Sequence, residues 1–430
     1  MVRQYLASLE ADRDADWVLD PFAGTATTPV EARLRGFSTV TVDANPMSVL
    51  AAHVKLAWDV DLEEVSSQLT AVLELATACV NKAGLRPVPD GDYQSSLFGT
   101  QTRAKQPADG CGAEFDFDPS QILPPETAAL IPRGFISTNP LLRVLALRYA
   151  VEHVTCHDDV RNYLLLALAN TIVTTAGNVG FGPEVYRLPA KDDVDVLGAF
   201  ADTVGRMVSD LRTVTRKRQG PLPSALVFKD DARSLSLLRG VPPIGIVITS
   251  PPYPNEKDYT RSTRLESVLL GFIKTKRGLR EVKSGLLRSN TRNVFAGDDD
   301  DKLIEDVPSV LRVAEAIEQE RQRLGKTSGF ERLYHRVTRL YFGGMYRHLA
   351  ALLPRLRPGA RCAYVLGDQM SYFRVHIRTA QLLADVAIKA GYEVEGIELW
   401  RTRRSTATGL DLEENVLILR RPESGGGNCG

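Results

Sequence analysis

The sequence predicts an α/β fold on a mostly parallel sheet, interrupted by helical insertions and closed by an antiparallel pair of strands. Three observations predict it. Residues 1–59 hold two strand-turn-helix units in succession, WVLDPFAGTATTPVEARLRGF and STVTVDANPMSVLAAHVKLAW, and β alternating with α at short intervals places neighbouring strands parallel. The apolar run IGIVI stops on the proline pair of TSPPY, because proline fixes its own φ and cannot donate to a sheet ladder. Near the end, YEVEGIELWRT and ENVLILRRP are separated by the turn-rich TRRSTATGLDLE, the pattern of a hairpin at a sheet edge.

Taken in order, strands start at Trp17, Thr39, Leu226, Ile244, Arg361, Tyr392 and Glu414. Residues 1–59 form the first part of the core. Residues 60–222 read as a mostly helical insertion, of roughly domain size by the usual length of a domain: an amphipathic helix at 61–83, an aperiodic loop at 84–122 mixing Pro, Gly, Gln and Asp, and helical patterns from 124 to 218 such as DVRNYLLLALANTIVTTAG. The core resumes over 223–254 with SALVFKDDARSL and GIVITSPPY. A second insertion, helical and basic, spans 255–350. The C-terminal strands and a helix from Arg378 to Ala390 occupy 351–422, and 423–430 (ESGGGNCG) reads as a flexible tail.

Composition narrows the classes further. With 430 residues, 43% hydrophobic and 25% charged, the chain is long enough for a sizeable core. Lys plus Arg and Asp plus Glu both total 53, so any nucleic-acid surface has to be local. The cysteines Cys79, Cys111, Cys156, Cys362 and Cys429 form no CxxC pair, which argues against a disulfide framework and a zinc site. His153, Cys156 and His157 lack a second ligand pair, so a helix turn is expected there and no metal. The N-terminus has no signal-type core, and no stretch approaches the roughly 18 apolar residues of a membrane helix. A soluble, cytoplasmic protein without a membrane partner is the expectation.

The chemistry concentrates at strand ends. In DPFAGTATT, residues 20–28, a Gly-containing turn between strand and helix lets a ligand approach backbone, and the helix N-terminus offers free N–H groups. Asp43 at the tip of the next strand is placed to hold the two hydroxyls of a ribose. A nucleoside-bearing cofactor fits both.

DPFAGTATT, VDANPMSVLAAHVK, DDARSL and TSPPY, in that order and on those strands, resemble the motifs of the DNA amino-methyltransferases, as do PGARCAYVLGDQ, GYEVEGIELWRT and ENVLILRR near the C-terminus. The resemblance covers roughly half of the chain and leaves out the insertions. It implies a class I methyltransferase sheet, doubly wound, using S-adenosyl-L-methionine to methylate cytosine N4 or adenine N6 on double-stranded DNA. By that likeness Asp20, Phe22 and Gly24 form the pocket for the methionine end, Asp43 meets the ribose, and Asp231, in competition with Asp230, meets the adenine amine, with Pro21 and Asn45 also among the cofactor-binding residues. Two departures stand out. Ala26 occupies the place of the family's second glycine, where a methyl group would tighten or tilt the loop. Only about a helix precedes Trp17, where the family places a Pro- and aromatic-containing cover, so the cover comes from elsewhere or the true start lies upstream.

The elbow itself suggests a mechanism. An exocyclic amine is a poor nucleophile because its lone pair is delocalised into the ring, so its hydrogens must be drawn out of plane. Ser250 Oγ and the Pro251 carbonyl supply two acceptors, Pro252 stiffens the turn, and Tyr253 stacks on a base flipped out of the duplex. No Pro-Cys pair is present, which excludes the family's carbon-5 relatives. Serine at the first position leans toward cytosine N4, with adenine N6 the alternative. Thr249 mainly completes the strand, while PNEKDYTR either lines the base pocket and contacts phosphate or anchors a loop. Downstream, Arg261, Arg264, Lys274, Lys276, Arg277 and Arg280, followed by Lys283, Arg288 and Arg292, outnumber the acids and suggest a DNA-facing surface; Arg216–Arg218 is a smaller basic cluster. A cognate restriction nuclease is the implied setting. Competing readings are a non-catalytic DNA-binding subunit and an RNA-directed relative, which would carry DPPY and an added RNA-binding domain; a nicotinamide enzyme would need GxGxxG where this chain has GTATTP.

Overall fold

Nine strands are present among the described residues, named in chain order: β1 (Trp17–Asp20), β2 (Ser38–Asp43), β3 (Val179–Phe181), β4 (Val185–Arg187), β5 (Ala225–Lys229), β6 (Ile244–Thr249), β7 (Leu356–Gly367), β8 (Glu393–Arg404) and β9 (Asp411–Arg420). The computed structural model describes residues 1–9, 12, 16–86, 88, 115–155, 157–182, 184–217, 220–255, 257–404 and 409–423. Most of the 84–122 loop, Cys111, Cys156, Arg218, residues 405–408, Cys429 and the rest of the tail beyond Glu423 lie outside them.

Seven strands form one sheet in the order β5-β2-β1-β6-β7-β9-β8. Every neighbouring pair is parallel except those made by β9, which runs antiparallel to both β7 and β8. This is the expected doubly wound class I methyltransferase fold. The closing hairpin is antiparallel as its turn-rich connection implies, and its second strand enters the sheet between β7 and β8, leaving β8 at the edge. One consequence shapes the site. The C-terminal ends of β1, β2, β5, β6 and β7 share one edge of the sheet, and reversal of β9 brings its first residues there, with Glu414 opposite both Gly367 and Arg401.

β1, β2 and β6 are near-continuous apolar runs because helices cover both faces of the sheet. On one face Leu19, Val40, Val42 and Val247 pack with Tyr341, Phe342 and Met345 of the helix Tyr334–Leu352 and with Leu383 and Val386 of the helix Thr379–Lys389. On the other, Val18, Ile246 and Ile248 meet Val2, Tyr5 and Leu6 of the helix Val2–Ser8 and Ala32 of the helix Thr27–Arg33. Each large apolar side chain buried in this way contributes about 1.5–3 kcal/mol.

The chain divides into two compact units. The sheet unit comprises Met1–Leu56, Gln219–Thr260 and Leu279–Gly430; the helical unit comprises Ala57–Arg218 and Arg261–Gly278. The stretch 255–350 is thus divided between them, and the helix Tyr334–Leu352 belongs to the sheet unit because it carries the crossover from β6 to β7 and buries Val337, Leu340, Tyr341, Phe342 and Met345. In the helical unit, the helix Leu62–Lys82 starts where the Asp61 side chain accepts from the backbone N–H groups of Glu63 and Glu64. The helices Thr138–Val154, Asp158–Thr171 and Val196–Lys217 follow the predicted patterns. The hairpin β3–β4 falls between them, in the Gly- and Pro-broken NVGFGPEVYR, too short for its alternation to register against its helical neighbours. Among the described residues no helix is long and apolar enough to cross a membrane.

The closest backbone approach in the sheet unit lies under Gly343, where a Cβ would sit 1.8 Å from the Asp300 carbonyl oxygen. Backbone cannot swing away as a side chain does. Gly343→Ala is expected to destabilise the protein by about 2 kcal/mol or more, read as a lower midpoint in urea unfolding; a midpoint equal to that of the parent would contradict this packing.

Candidate active site

The site is built on strand ends. Asp20 closes β1 and is almost fully buried; its Oδ1 accepts from Thr249 Oγ1 at 2.6 Å and from the Phe22 N–H at 3.2 Å. Thr249 therefore does more than complete β6. Its hydroxyl joins the residue before the elbow to the acid of the first strand. Asp43 closes β2, where Oδ2 accepts from the Gly24 N–H at 2.9 Å and Oδ1 from the Asn45 N–H at 2.8 Å. Asn45 is buried and in turn accepts from the Met47 N–H at 3.0 Å, opening the helix Pro46–Leu56. One carboxylate thus ties the two loops that follow β1 and β2.

Burial dominates the electrostatics of both acids. It pushes the Asp20 carboxyl from 3.8 up to about 6 against the lowering effect of its Thr249 and Phe22 bonds, and pushes Asp43 up to about 6 against four hydrogen bonds. The turn between them is open. Gly24 has φ +52 and nothing within 4 Å of the position a Cβ would take. Pro21 is buried beneath the turn, and the partly exposed Phe22 packs edge-on against His348, ring centroids 5.0 Å apart. An open turn lined by one buried and one half-buried acid matches a ligand with a cationic end and vicinal hydroxyls.

Ala26 sits at φ 64, ψ 34, in the left-handed region, and is fully buried at the start of the helix Thr27–Arg33. The backbone explains why glycine suits this place. The left-handed conformation costs an L-residue about 1–2 kcal/mol, so the strain lies in the turn itself.

After β5 the two acids have different partners. Asp230 accepts from the Leu237 N–H at 2.8 Å and the Ser236 hydroxyl at 3.0 Å, pinning its own turn, while its N–H donates to the Asp43 carbonyl at 3.2 Å. The Asp231 carboxylate is gripped by Arg233, Nη2 to Oδ2 at 2.6 Å, and Arg233 also reaches Asp300 at 3.0 Å. The turn is braced from below by His348, which bonds the Ala232 carbonyl and the Tyr364 hydroxyl, both at 2.7 Å. Burial lowers the His348 imidazole to about 4, so it is neutral near pH 7.

The elbow follows β6. Ser250 is exposed and its hydroxyl donates to the Val365 carbonyl at a long 3.4 Å. Pro251 is buried, Pro252 partly so. The Tyr253 ring backs onto Gly367, its hydroxyl lies 3.4 Å from Glu414 Oε1, and burial raises its phenol. Glu414 is buried and bonded to Arg401 Nε. Within PNEKDYTR, Asp258 is a loop anchor: it accepts from the Thr260 N–H at 3.1 Å and hydroxyl at 2.7 Å and pairs with Lys283 at 2.8 Å. Asn255 likewise accepts from the Lys257 N–H; Glu256 lies outside the described residues.

The basic stretch separates by exposure. Lys274, Lys276, Arg277 and Arg280 are exposed, the last with its guanidinium 5.0 Å from the Phe295 ring centroid. Arg261, 3.8 Å from Glu184, and Arg264 are half-buried. Arg288 is buried and clamps Asp298 at 2.9 Å, so it holds the fold rather than facing outward. His153 bonds the Tyr149 carbonyl and stacks on that ring, and among the described residues no group of three or more His, Cys, Asp or Glu is placed to hold a metal ion. Thr249, His348, Arg403 and Glu414 escaped the sequence reading; only Thr249, beside the elbow, carried a local signal.

Because folding raises the Asp20 pKa, its contribution to stability is fully present below 3.8 and is lost as pH rises through about 6. The shift corresponds to about 3 kcal/mol. Asp20→Asn keeps an acceptor for Thr249 and removes the ionisation, so its stability relative to the parent should improve by up to about that amount between pH 4 and 7. A parallel pair of stability-pH curves would refute the buried acid.

No family model matches the chain. It is similar to the type II methyltransferase M.BsoBI of Geobacillus stearothermophilus, 25% identical over 301 residues that make up 65% of this chain and 51% of the relative. The chain thus spans about half the length of the curated relative it matches.

Proposed function

We infer that this chain is an S-adenosyl-L-methionine-dependent DNA methyltransferase acting on the exocyclic N4 amine of a flipped cytosine. The observation that carries the reading is the 2.6 Å bond from Thr249 to Asp20, which sets the Ser-Pro-Pro-Tyr elbow directly against the acid of the cofactor turn. The likeness to a type II methyltransferase supports the reaction class and a DNA substrate.

Asp20, Pro21, Phe22 and Gly24 would hold the methionine end, Asp43 and Asn45 the ribose, and Asp231 the adenine. Asp43 already accepts from the Gly24 and Asn45 N–H groups, so ribose hydroxyls would share its oxygens with these donors. Bound there, the cofactor supplies a methyl on positively charged sulfur. Ser250 Oγ and the Pro251 carbonyl accept the two amine hydrogens and turn the nitrogen lone pair toward that methyl. Tyr253 holds the base in plane, and its raised phenol keeps it neutral. The surplus proton leaves through Ser250 to water, so the residues work by positioning, without a covalent adduct to the chain. Lys274, Lys276, Arg277 and Arg280, exposed as they are, with Arg261 and Arg264, would meet DNA phosphates. A companion nuclease is the setting in which such an enzyme protects its own DNA.

Modification-sensitive sequencing of DNA from cells expressing the protein should show N4-methylcytosine at one recurring site. Ser250→Ala should lower methyl incorporation by about a hundredfold, as loss of one positioned polar group does at other sites, with cofactor affinity unchanged by calorimetry. N6-methyladenine instead, or full activity in Ser250→Ala, would overturn the assignment.

A further inference from the structure

One side chain at the carboxyl edge of the sheet has donors that the fold does not use. Arg403 lies near the end of β8, brought there by the reversed β9. Its Nη2 donates to the Asp368 carbonyl at 2.8 Å, which fixes one arm of the guanidinium. Its Nε is buried and has no hydrogen-bond partner among the described residues; Glu414 Oε1, at 3.7 Å, offsets its charge without bonding it. The guanidinium carbon stands 5.9 Å from the Tyr253 ring centroid. That is within the ~6 Å reach of a cation–π contact, so the guanidinium lies beside the ring proposed to hold the base.

Nε is screened from solvent, so the terminal nitrogens of this half-buried side chain are the donors that can meet an acceptor entering the site. The chemistry of that acceptor follows from the site. If the base lies on Tyr253 with its amine at Ser250, the atoms next along its pairing edge come nearest to Arg403. In cytosine these are N3 and O2, two adjacent acceptors; in adenine the amine is followed by one acceptor, N1, and then a C–H. A planar fork with two donors matches the first and half-matches the second.

We propose that Arg403 reads the target base, donating to the N3 and O2 acceptors of cytosine and so selecting it over adenine. The inference rests on the reading above and deepens it, by assigning base choice to a residue of the closing hairpin instead of the elbow serine. Glu414 holds the guanidinium at the site by charge, and the Asp368 carbonyl sets the direction of the fork.

The test uses a duplex carrying the site mapped by sequencing, and a second duplex with adenine in place of the target cytosine. Parent, Arg403→Met and Arg403→Lys are compared for kcat/KM on each, with cofactor affinity by calorimetry as the check that each variant is folded. Both variants should lose about tenfold to a hundredfold on cytosine, with the preference over adenine shrinking and cofactor affinity preserved. Lysine keeps the charge but not the fork, so full rescue by Arg403→Lys would overturn the proposal. So would an equal loss on both duplexes that grows steeper with salt, which marks a phosphate contact. A parent that binds cofactor but methylates neither duplex would refute the proposed function itself and this inference with it.

Discussion

The hydrogen bond from Thr249 Oγ1 to Asp20 Oδ1, 2.6 Å long and buried, is the contact on which the rest of the site depends. A hydroxyl donating to a carboxylate is among the stronger hydrogen bonds, and low surrounding polarity strengthens it further. Its two ends have different duties. Asp20 opens the Gly-containing turn, and Thr249 precedes the proline elbow, so the turn and the elbow are held in register by one proton. Asp43 extends the same logic sideways, tying the turns after β1 and β2 through two backbone N–H groups. The β5 turn joins through the Asp230 N–H to the Asp43 carbonyl.

The topology explains why so many polar groups meet here. Parallel strands end together, so their terminal residues and the loops that leave them line one edge. The antiparallel β9 adds what parallel strands cannot: its first residues and the last of β8 reach the same edge, delivering Glu414, Arg401 and Arg403 to Tyr253. Beneath, His348 links Phe22, Ala232 and Tyr364, so turns after two different strands share one buried imidazole.

Much of the sheet was legible in the sequence because its strands are short apolar runs bounded by turn residues, and all seven predicted starts fall on strands or within five residues of one. The acids at the strand ends were legible for the same reason: a lone charge after an apolar run marks where the strand leaves the core. What could not be read was pairing across distance. Nothing local ties Thr249 to Asp20, 229 positions away, or Tyr253 to Glu414, 161 away. The basic stretch misleads in the same way, since composition does not tell an exposed Lys276 from an Arg288 buried on Asp298. The placing of 279–350 with the sheet was hidden too, because a crossover helix and an inserted helix carry the same periodicity.

The turn after β1 and the elbow after β6 depend on the bond between them. Thr249→Val keeps the shape of a fully buried side chain and removes only the donor. If Asp20 organises both through that bond, calorimetry on the variant should show cofactor affinity lower by about tenfold or more, the equivalent of one charge-assisted hydrogen bond. Methyl transfer should fall at least as far. Parent-like affinity and parent-like transfer in Thr249→Val would contradict it.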